Sequence, residues 1–243
     1  MGLSLVFALI AVAGFAPTYL APVAGGRFDG PAILHLHGAV FFAWTVLLIV
    51  QARLARSSPQ THRALGLAGI SLATAVVFMG GAVVVHGLAA AVGNGNESNA
   101  RPLSVVPVLA ILTFAVCFAL AIANIRRPDT HKRFIVLATV ALLPPAFARM
   151  LFTVLAPEGV VRPSLSVSVP DLDLALNLIL VPAVLADLVL IAPIVYDWRS
   201  RGRPHAVYVI GGSCMLGLQL LRPFIARTDA WHSFTGVLLA LAR

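Results

Sequence analysis

Five ionisable residues lie well inside apolar stretches of this sequence. They are two histidines, two arginines and one aspartate: His37, His86, Arg149, Arg222 and Asp187. A charged side chain at the centre of a bilayer costs about 2.5–3.5 kcal/mol on insertion scales, so such residues mark functional sites by default. These five positions are therefore where the sequence predicts chemistry.

The two histidines and the two arginines fall at similar depths in their apolar stretches. His37 and His86 each lie about five residues, or about 7–8 Å, inside the same predicted membrane face, and Arg149 and Arg222 lie in the same half. Neutral imidazoles ligate haem iron, and the arginine fork matches a carboxylate. The pattern predicts a haem b with axial histidines and arginines on its propionates. The alternative is helix-packing histidines with arginines that reach toward the membrane surface.

Asp187 is the deepest of the five charges, near the middle of its apolar stretch. A lone carboxylate at that depth is protonated or paired, because a low dielectric disfavours an isolated charge. We therefore expect Asp187 to be either a proton-relay group or one half of a structural ion pair with an arginine or a histidine.

Three further histidines follow basic turns and open the next helix, at His62, His131 and His205. If three helical hairpins descend from one duplicated ancestor, these histidines lie at one depth and a metal site is one prediction. The alternative is that each histidine bonds a free backbone group at its helix start.

The elements that position these residues are membrane-spanning helices. The sequence is 60% hydrophobic and only 11% charged, with a mean hydropathy of +0.96, which excludes a soluble domain. Since one crossing takes about 20 apolar residues, the chain has room for roughly seven or eight spans. The spans are predicted at about residues 3–23, 32–54, 64–91, 104–125, 134–156, 174–196 and 205–226.

Prolines interrupt two of these spans. Pro17 and Pro22 fall in the first span and Pro144-Pro145 in the fifth, where the missing N–H groups predict a kink or an opening. The chain is predicted to be one transmembrane domain, residues 1–243, with three hairpin pseudo-repeats at about 32–91, 104–156 and 174–226.

The C-terminal tail, Thr228–Arg243, is apolar but too short to cross a bilayer. It predicts an interfacial or partly re-entrant helix anchored by Trp231. The predicted fold is therefore an all-α integral membrane helical bundle of about seven transmembrane helices with a short C-terminal interfacial helix.

The basic residues that give the net charge of +8 lie in short loops between apolar stretches and do not form a nucleic-acid-binding face. Three short turns hold ten basic residues and only two acids, Asp129 and Asp197, whereas six acids lie in the opposite loops and the tail. The positive-inside rule then predicts N-terminus in and C-terminus out, in a bacterial inner membrane. The ten basic residues are Arg53, Arg56, Arg63, Arg126, Arg127, Lys132, Arg133, Arg199, Arg201 and Arg203.

Several short motifs occur together around the basic turns and near the C-terminus. They are Thr61-His62-Arg63-Ala64-Leu65-Gly66, His131-Lys132-Arg133, Leu142-Leu143-Pro144-Pro145 and Thr228-Asp229-Ala230-Trp231. In this combination the chain resembles a widespread group of bacterial multi-pass membrane proteins with a domain of unknown function. Its histidines at helix ends are also similar in architecture to membrane b-type cytochromes and to haem-A synthase and oxidase-assembly proteins. Those families alternate their histidine-bearing helices, whereas His37 and His86 fall on consecutive ones.

Three functions are compatible with these patterns. The first is a haem-b-binding redox or haem-handling protein of the inner membrane, for which a quinone is a candidate partner. The second is a non-catalytic subunit or assembly factor of a larger respiratory or photosynthetic membrane complex. The third is a receptor or transporter for a small molecule or a metal, built on the three turn histidines or on Asp187. No nucleotide-binding loop or catalytic triad occurs in the sequence.

Overall fold

The computed structural model describes residues 1–155 and 171–242, and every regular element in these ranges is a helix. The predicted all-helical architecture is confirmed in these ranges, and seven helical stretches are long and apolar enough to cross a membrane. The predicted end of the fifth span and the loop holding Glu158 and Arg162 lie outside the described residues. The seven stretches are Gly2–Ala24, Ala32–Ser57, Pro59–Gly93, Glu97–Ala123, Pro128–Leu155, Leu172–Arg201 and Ala206–Ile225.

The chain forms two compact units, Met1–Val83 and Val84–Arg243. In the first unit, α1 packs against α3. Its elements are α1 (Gly2–Phe15), a π-helical turn (Ala16–Leu20), α2 (Ala21–Ala24), α3 (Ala32–Ser57) and the part of α4 (Pro59–Gly93) that ends at Val83.

The first span changes its helical geometry where its prolines fall, as predicted. Pro17 has no N–H, so the regular ladder of α1 ends at Phe15 and the chain continues as a π-helical turn. The Ala21 amide closes this wider turn by donating to the Ala16 carbonyl. Pro22 then occupies the first turn of α2, where no donor is needed.

The first basic turn is mostly helical, which differs from the prediction of a turn over residues 53–63. α3 continues to Ser57 and α4 begins at Pro59, so that Ser58 alone separates the two helices. A proline favours extended backbone in the residue before it and a helix start at its own position. Ser58 accordingly has φ −153°, and its hydroxyl lies 2.7 Å from the Thr61 hydroxyl.

The second unit contains the last part of α4 and nine further helices among its described residues. Helix α6 packs against α7, α8 packs against α10, and α12 packs against both α7 and α10. The nine are α5 (Glu97–Leu103), α6 (Val105–Ala123), α7 (Pro128–Ala141), α8 (Pro144–Leu155), α9 (Leu172–Leu178), α10 (Leu180–Leu188), α11 (Ile191–Arg201), α12 (Ala206–Ile225) and α13 (Asp229–Ala240).

The predicted opening at Pro144-Pro145 is confirmed. Helix α7 ends at Ala141 and α8 begins at Pro144, because neither proline can donate to the preceding turn. The Leu143 amide donates instead to the Val140 carbonyl at 3.0 Å, which tightens the last turn of α7.

The C-terminal tail forms the helix α13, and Trp231 fixes it to the second unit. The Trp231 indole Nε1 donates to the Arg101 carbonyl at 2.8 Å, and Arg101 Nη1 donates back to the His232 carbonyl at 3.0 Å. Trp231 also packs in an apolar core with Leu103 and Leu109. The predicted anchor therefore contacts protein, and a position of α13 at the membrane interface stays a prediction.

Candidate functional site

Three polar side chains meet on the facing sides of α10 and α12. Gln219 and Arg222 are three residues apart on α12, so they share one helical face, and Asp187 comes from the end of α10. Gln219 and Arg222 are 4% and 5% exposed, and Asp187 is partly buried. We call these three residues the intramembrane polar cluster, because each lies in a stretch able to cross a membrane.

One hydrogen bond joins the two helices within this cluster. The Gln219 amide donates through Nε2 to Asp187 Oδ1 at 3.3 Å. Arg222 and Asp187 attract each other electrostatically, but no nitrogen of Arg222 lies within 4.0 Å of a carboxylate oxygen of Asp187. Arg222 therefore lies near Asp187 without direct contact, and the choice between a proton relay and an ion pair at Asp187 stays a prediction.

Most of the polar atoms in the cluster are unsatisfied. Within the described parts of the chain, Asp187 Oδ2, Gln219 Oε1 and Arg222 Nε and Nη1 are buried without a hydrogen-bond partner. Native proteins pair the large majority of such atoms, because an unpaired buried polar group is costly. The cluster thus offers both donors and acceptors to a group that brings the complementary ones.

A second polar group of the same unit links the two basic turns that precede α7 and α12. Arg133 of α7 and Asp197 of α11 are 1% and 2% exposed, and they form a two-pronged ion pair. Arg133 Nε donates to Asp197 Oδ2 at 2.8 Å, and Nη2 donates to Oδ1. Unlike the intramembrane polar cluster, this pair uses both carboxylate oxygens.

Further charges extend this pair into what we call the basic-end network: Asp129, Lys132, Arg133, Asp197 and Arg201. The Asp129 carboxylate forms ion pairs with Lys132, at 2.6 Å, and with Arg201. Arg133 donates a hydrogen bond to the Asp129 backbone carbonyl at 2.6 Å. The Arg133 guanidinium also lies 5.8 Å from the centre of the Tyr208 ring, a cation–π contact. One feature of the sequence indicated this network: Asp129 and Asp197 are the two acidic residues in the basic turns.

Each of the three turn histidines contacts a nearby polar group. His205 accepts through Nδ1 from the Val207 amide at 3.2 Å, and His131 Nδ1 lies 2.9 Å from the Ala121 carbonyl. With its amide nitrogen facing His62, Gln51 donates to His62 Nδ1 at 2.6 Å. No group of three or more His, Cys, Asp or Glu able to hold a metal occurs among the described residues.

The capping role of His205 depends on its protonation state. Burial, followed by the positive charge of Arg133, lowers the pKa of His205 below its ordinary value. The imidazole is therefore neutral at pH 7 and its Nδ1 can accept the backbone donor at the start of α12.

The residues predicted to hold a haem divide between the two units. His37 lies on α3 in the first unit, where its ring packs against Phe41 with ring centres 4.2 Å apart and the ring planes tilted by 35°. His86, Arg149 and Arg222 belong to the second unit. His86 is exposed, and Arg149 Nη1 donates to the Pro145 carbonyl at 3.1 Å within its own helix.

Gln219 was missed by sequence reasoning, although a glutamine three residues before an arginine on an apolar helix was a usable signal.

No family model, curated protein or solved structure matches the chain. Its function is therefore inferred from side-chain geometry alone.

Proposed function

We propose that this protein is a membrane-embedded receptor or carrier for a small polar molecule, which it binds at the intramembrane polar cluster. The observation that supports this proposal is the set of buried, unpaired polar atoms on Asp187, Gln219 and Arg222. Polar side chains at membrane depth are costly and mark substrate or ion pathways. A ligand that satisfies these atoms would offset that cost.

The chemistry of the unpaired atoms defines the ligand. Arg222 offers only hydrogen-bond donors, whereas Asp187 Oδ2 and Gln219 Oε1 are acceptors. The ligand therefore has to carry both hydrogen-bond acceptors and hydrogen-bond donors. The two charges of the site are opposite and not in direct contact. A small zwitterion meets these conditions, with its carboxylate toward Arg222 and its ammonium toward Asp187 and Gln219. A free amino acid is the simplest example.

The proposed orientation follows from the basic turns, which we place in the cytoplasm of a bacterium by the positive-inside rule. Asp187, at the end of α10, precedes Asp197 of α11 by ten positions, which corresponds to about 15 Å at the helical rise per residue. The binding site would then lie deep in the membrane, as is common for secondary transporters.

The test uses purified protein in detergent and its melting temperature with added probes. We expect a panel of free amino acids to contain at least one that stabilises the protein, by about 2.7 kcal/mol at one hundred times its Kd. Glycine betaine, which keeps the carboxylate but has no N–H donor, should stabilise far less.

Matched variants assign the effect to the site. Asp187→Asn and Arg222→Gln should abolish the stabilisation, and Arg149→Gln, which removes an arginine from another span, should retain it. The proposal fails if no amino acid stabilises the parent, or if the effect survives in Asp187→Asn. Counterflow of the stabilising amino acid in proteoliposomes then separates a carrier from a receptor.

The haem prediction has its own test. Two unpaired donors on Arg222 also suit a propionate, which is the observation that favours this second candidate. A reduced-minus-oxidised spectrum with a low-spin haem band, lost in His37→Ala and His86→Ala, would support it. His35→Ala serves as the control, because His35 lies about 200° round the helix from His37. A colourless protein would exclude it.

A further inference from the structure

One exposed face of α11 carries a shallow, open groove between its own side chains, with a basic end. The lining residues are spaced by three, four, seven and eight positions, which places them on one side of the helix. The groove measures about 340 Å³ and is lined by Ala192, Val195, Tyr196, Arg199 and Ser200. We call it the α11 groove. Its first part is apolar, and its second part, in the last turn of the helix, carries Arg199.

Arg199 is a charge that the ion pairs of the basic-end network leave unused. Asp129 and Asp197 are engaged by Lys132, Arg133 and Arg201 in the basic-end network. Arg199 is exposed and forms no ion pair with any described residue. A guanidinium in this position is available to an anion from outside the chain, and its planar fork matches a phosphate.

The residues around Arg199 have the character of a membrane interface. Tyr196 and Trp198 are 69% and 63% exposed on the same two turns of α11. Such amphipathic rings concentrate at the level of lipid headgroups. From Ala192 to Arg199 the groove extends for seven positions, or about 10 Å, which suits a headgroup phosphate followed by the upper part of an acyl chain.

We propose that the α11 groove is a binding site for an anionic phospholipid. The phosphate contacts Arg199, and the acyl chain lies along Ala192 and Val195. The apolar half of the groove selects a lipid over a free phosphate, and the basic end selects an anionic lipid over a zwitterionic one. This site is independent of the intramembrane polar cluster, so either proposal stands if the other fails.

The experiment measures lipid retention by native mass spectrometry of the purified protein. Dioleoylphosphatidylglycerol should bind more tightly than dioleoylphosphatidylcholine, and Arg199→Gln should weaken the anionic lipid about fivefold, the contribution expected of one arginine at an anionic surface. Arg126→Gln is the matched control, because it removes an exposed arginine from the other basic turn of this unit and leaves the groove intact. Its lipid affinity should equal that of the parent.

Three results would overturn the proposal. Equal weakening by Arg199→Gln and Arg126→Gln would indicate general attraction to the basic turns. Equal binding of the two lipids would remove the role of charge, and binding of glycerol 3-phosphate as tight as that of the lipid would remove the role of the acyl chain. The melting temperature of Arg199→Gln without lipid verifies folding, and Arg199→Lys, which keeps the charge without the fork, should bind with intermediate affinity.

Discussion

Arg133 and Asp197 show how this protein stabilises charge that it buries. Both side chains are almost completely covered, and both Asp197 oxygens accept from the same guanidinium. The intramembrane polar cluster differs, because its charges are not in contact and several of its atoms lack partners among the described residues. At the scale of single residues, a satisfied pair indicates a structural role, whereas an unsatisfied cluster indicates a site for something else.

Removing one partner of the buried pair should be severe. Asp197→Ala leaves the buried Arg133 guanidinium with only the more exposed carboxylate of Asp129, 3.3 Å from Nη1, and we expect a loss of about 3–5 kcal/mol in the free energy of unfolding. Adding Arg133→Met should recover most of this loss, because no buried charge remains. Asp173→Ala is the control: its ion pair with Arg227 is solvent-exposed and should contribute at most about 1 kcal/mol. Equal losses from Asp197→Ala and Asp173→Ala would contradict this account.

His205 should make stability depend on pH. Its pKa is lowered in the folded protein, so the unfolded chain binds a proton more readily, and stability should fall as the pH drops below about 6.5 toward the folded pKa. His205→Asn keeps an acceptor for the Val207 amide but does not titrate. Melting temperatures between pH 7.5 and 5 should therefore decline less steeply for the variant, and identical slopes would show that His205 has no part in the decline.

At the scale of helices, local chemistry predicted most of what is observed. The seven spans, the change at Pro17 and the opening at Pro144-Pro145 follow from apolar length and from missing N–H groups, which depend only on neighbouring residues. The helices around Ser58 extend further than the sequence predicts, because the basic residues there lie in helix ends and not in a turn.

The candidate site was less predictable, because its contacts join distant parts of the sequence. Arg133 and Asp197 are 64 positions apart, and Gln219 and Asp187 are 32 positions apart. Helical periodicity indicates that Gln219 and Arg222 share a face, but not which helix that face meets. Asp187 and Arg222 were identified from their depth alone, and their proximity required the packing of α10 on α12.

The attachment of α13 offers a test at this scale. Trp231→Phe keeps an aromatic ring but loses the indole bond to the Arg101 carbonyl, so we expect a loss of about 1 kcal/mol and faster proteolysis of the C-terminal segment. Trp198→Phe changes an exposed indole and should leave both measurements unchanged. A cleavage rate for Trp231→Phe equal to that of Trp198→Phe would mean that this bond does not hold α13.

At the scale of the whole molecule, seven apolar helical stretches account for most of the described chain, and most of the charges lie near the ends of these stretches. Many large apolar side chains are exposed on these helices, for example Phe78 and Phe224. In water such surfaces would aggregate, whereas in a bilayer they contact lipid chains. The polar side chains buried between helices are therefore the residues at which we expect the function to reside.

The orientation can be measured with reporter fusions. Reporters after Arg56, Arg127 or Arg201 should report a cytoplasmic location, because these sites lie in the basic turns. Reporters at residues 94–100 or 158–170 should report the opposite side. Inverted signals at two or more sites would contradict the proposed orientation, although not the seven helices.

The central claim is that the intramembrane polar cluster is a ligand site and not a structural element. The most direct measurement is the ligand-free melting temperature of a variant that carries Asp187→Leu, Gln219→Leu and Arg222→Met together. If the polar atoms are held unsatisfied for a ligand, apolar replacements of similar volume should leave the protein as stable or more stable, by about 1–4 kcal/mol, while ligand-induced stabilisation disappears. A variant that is clearly less stable than the parent would show that the cluster holds the helices together, and would contradict the proposed function.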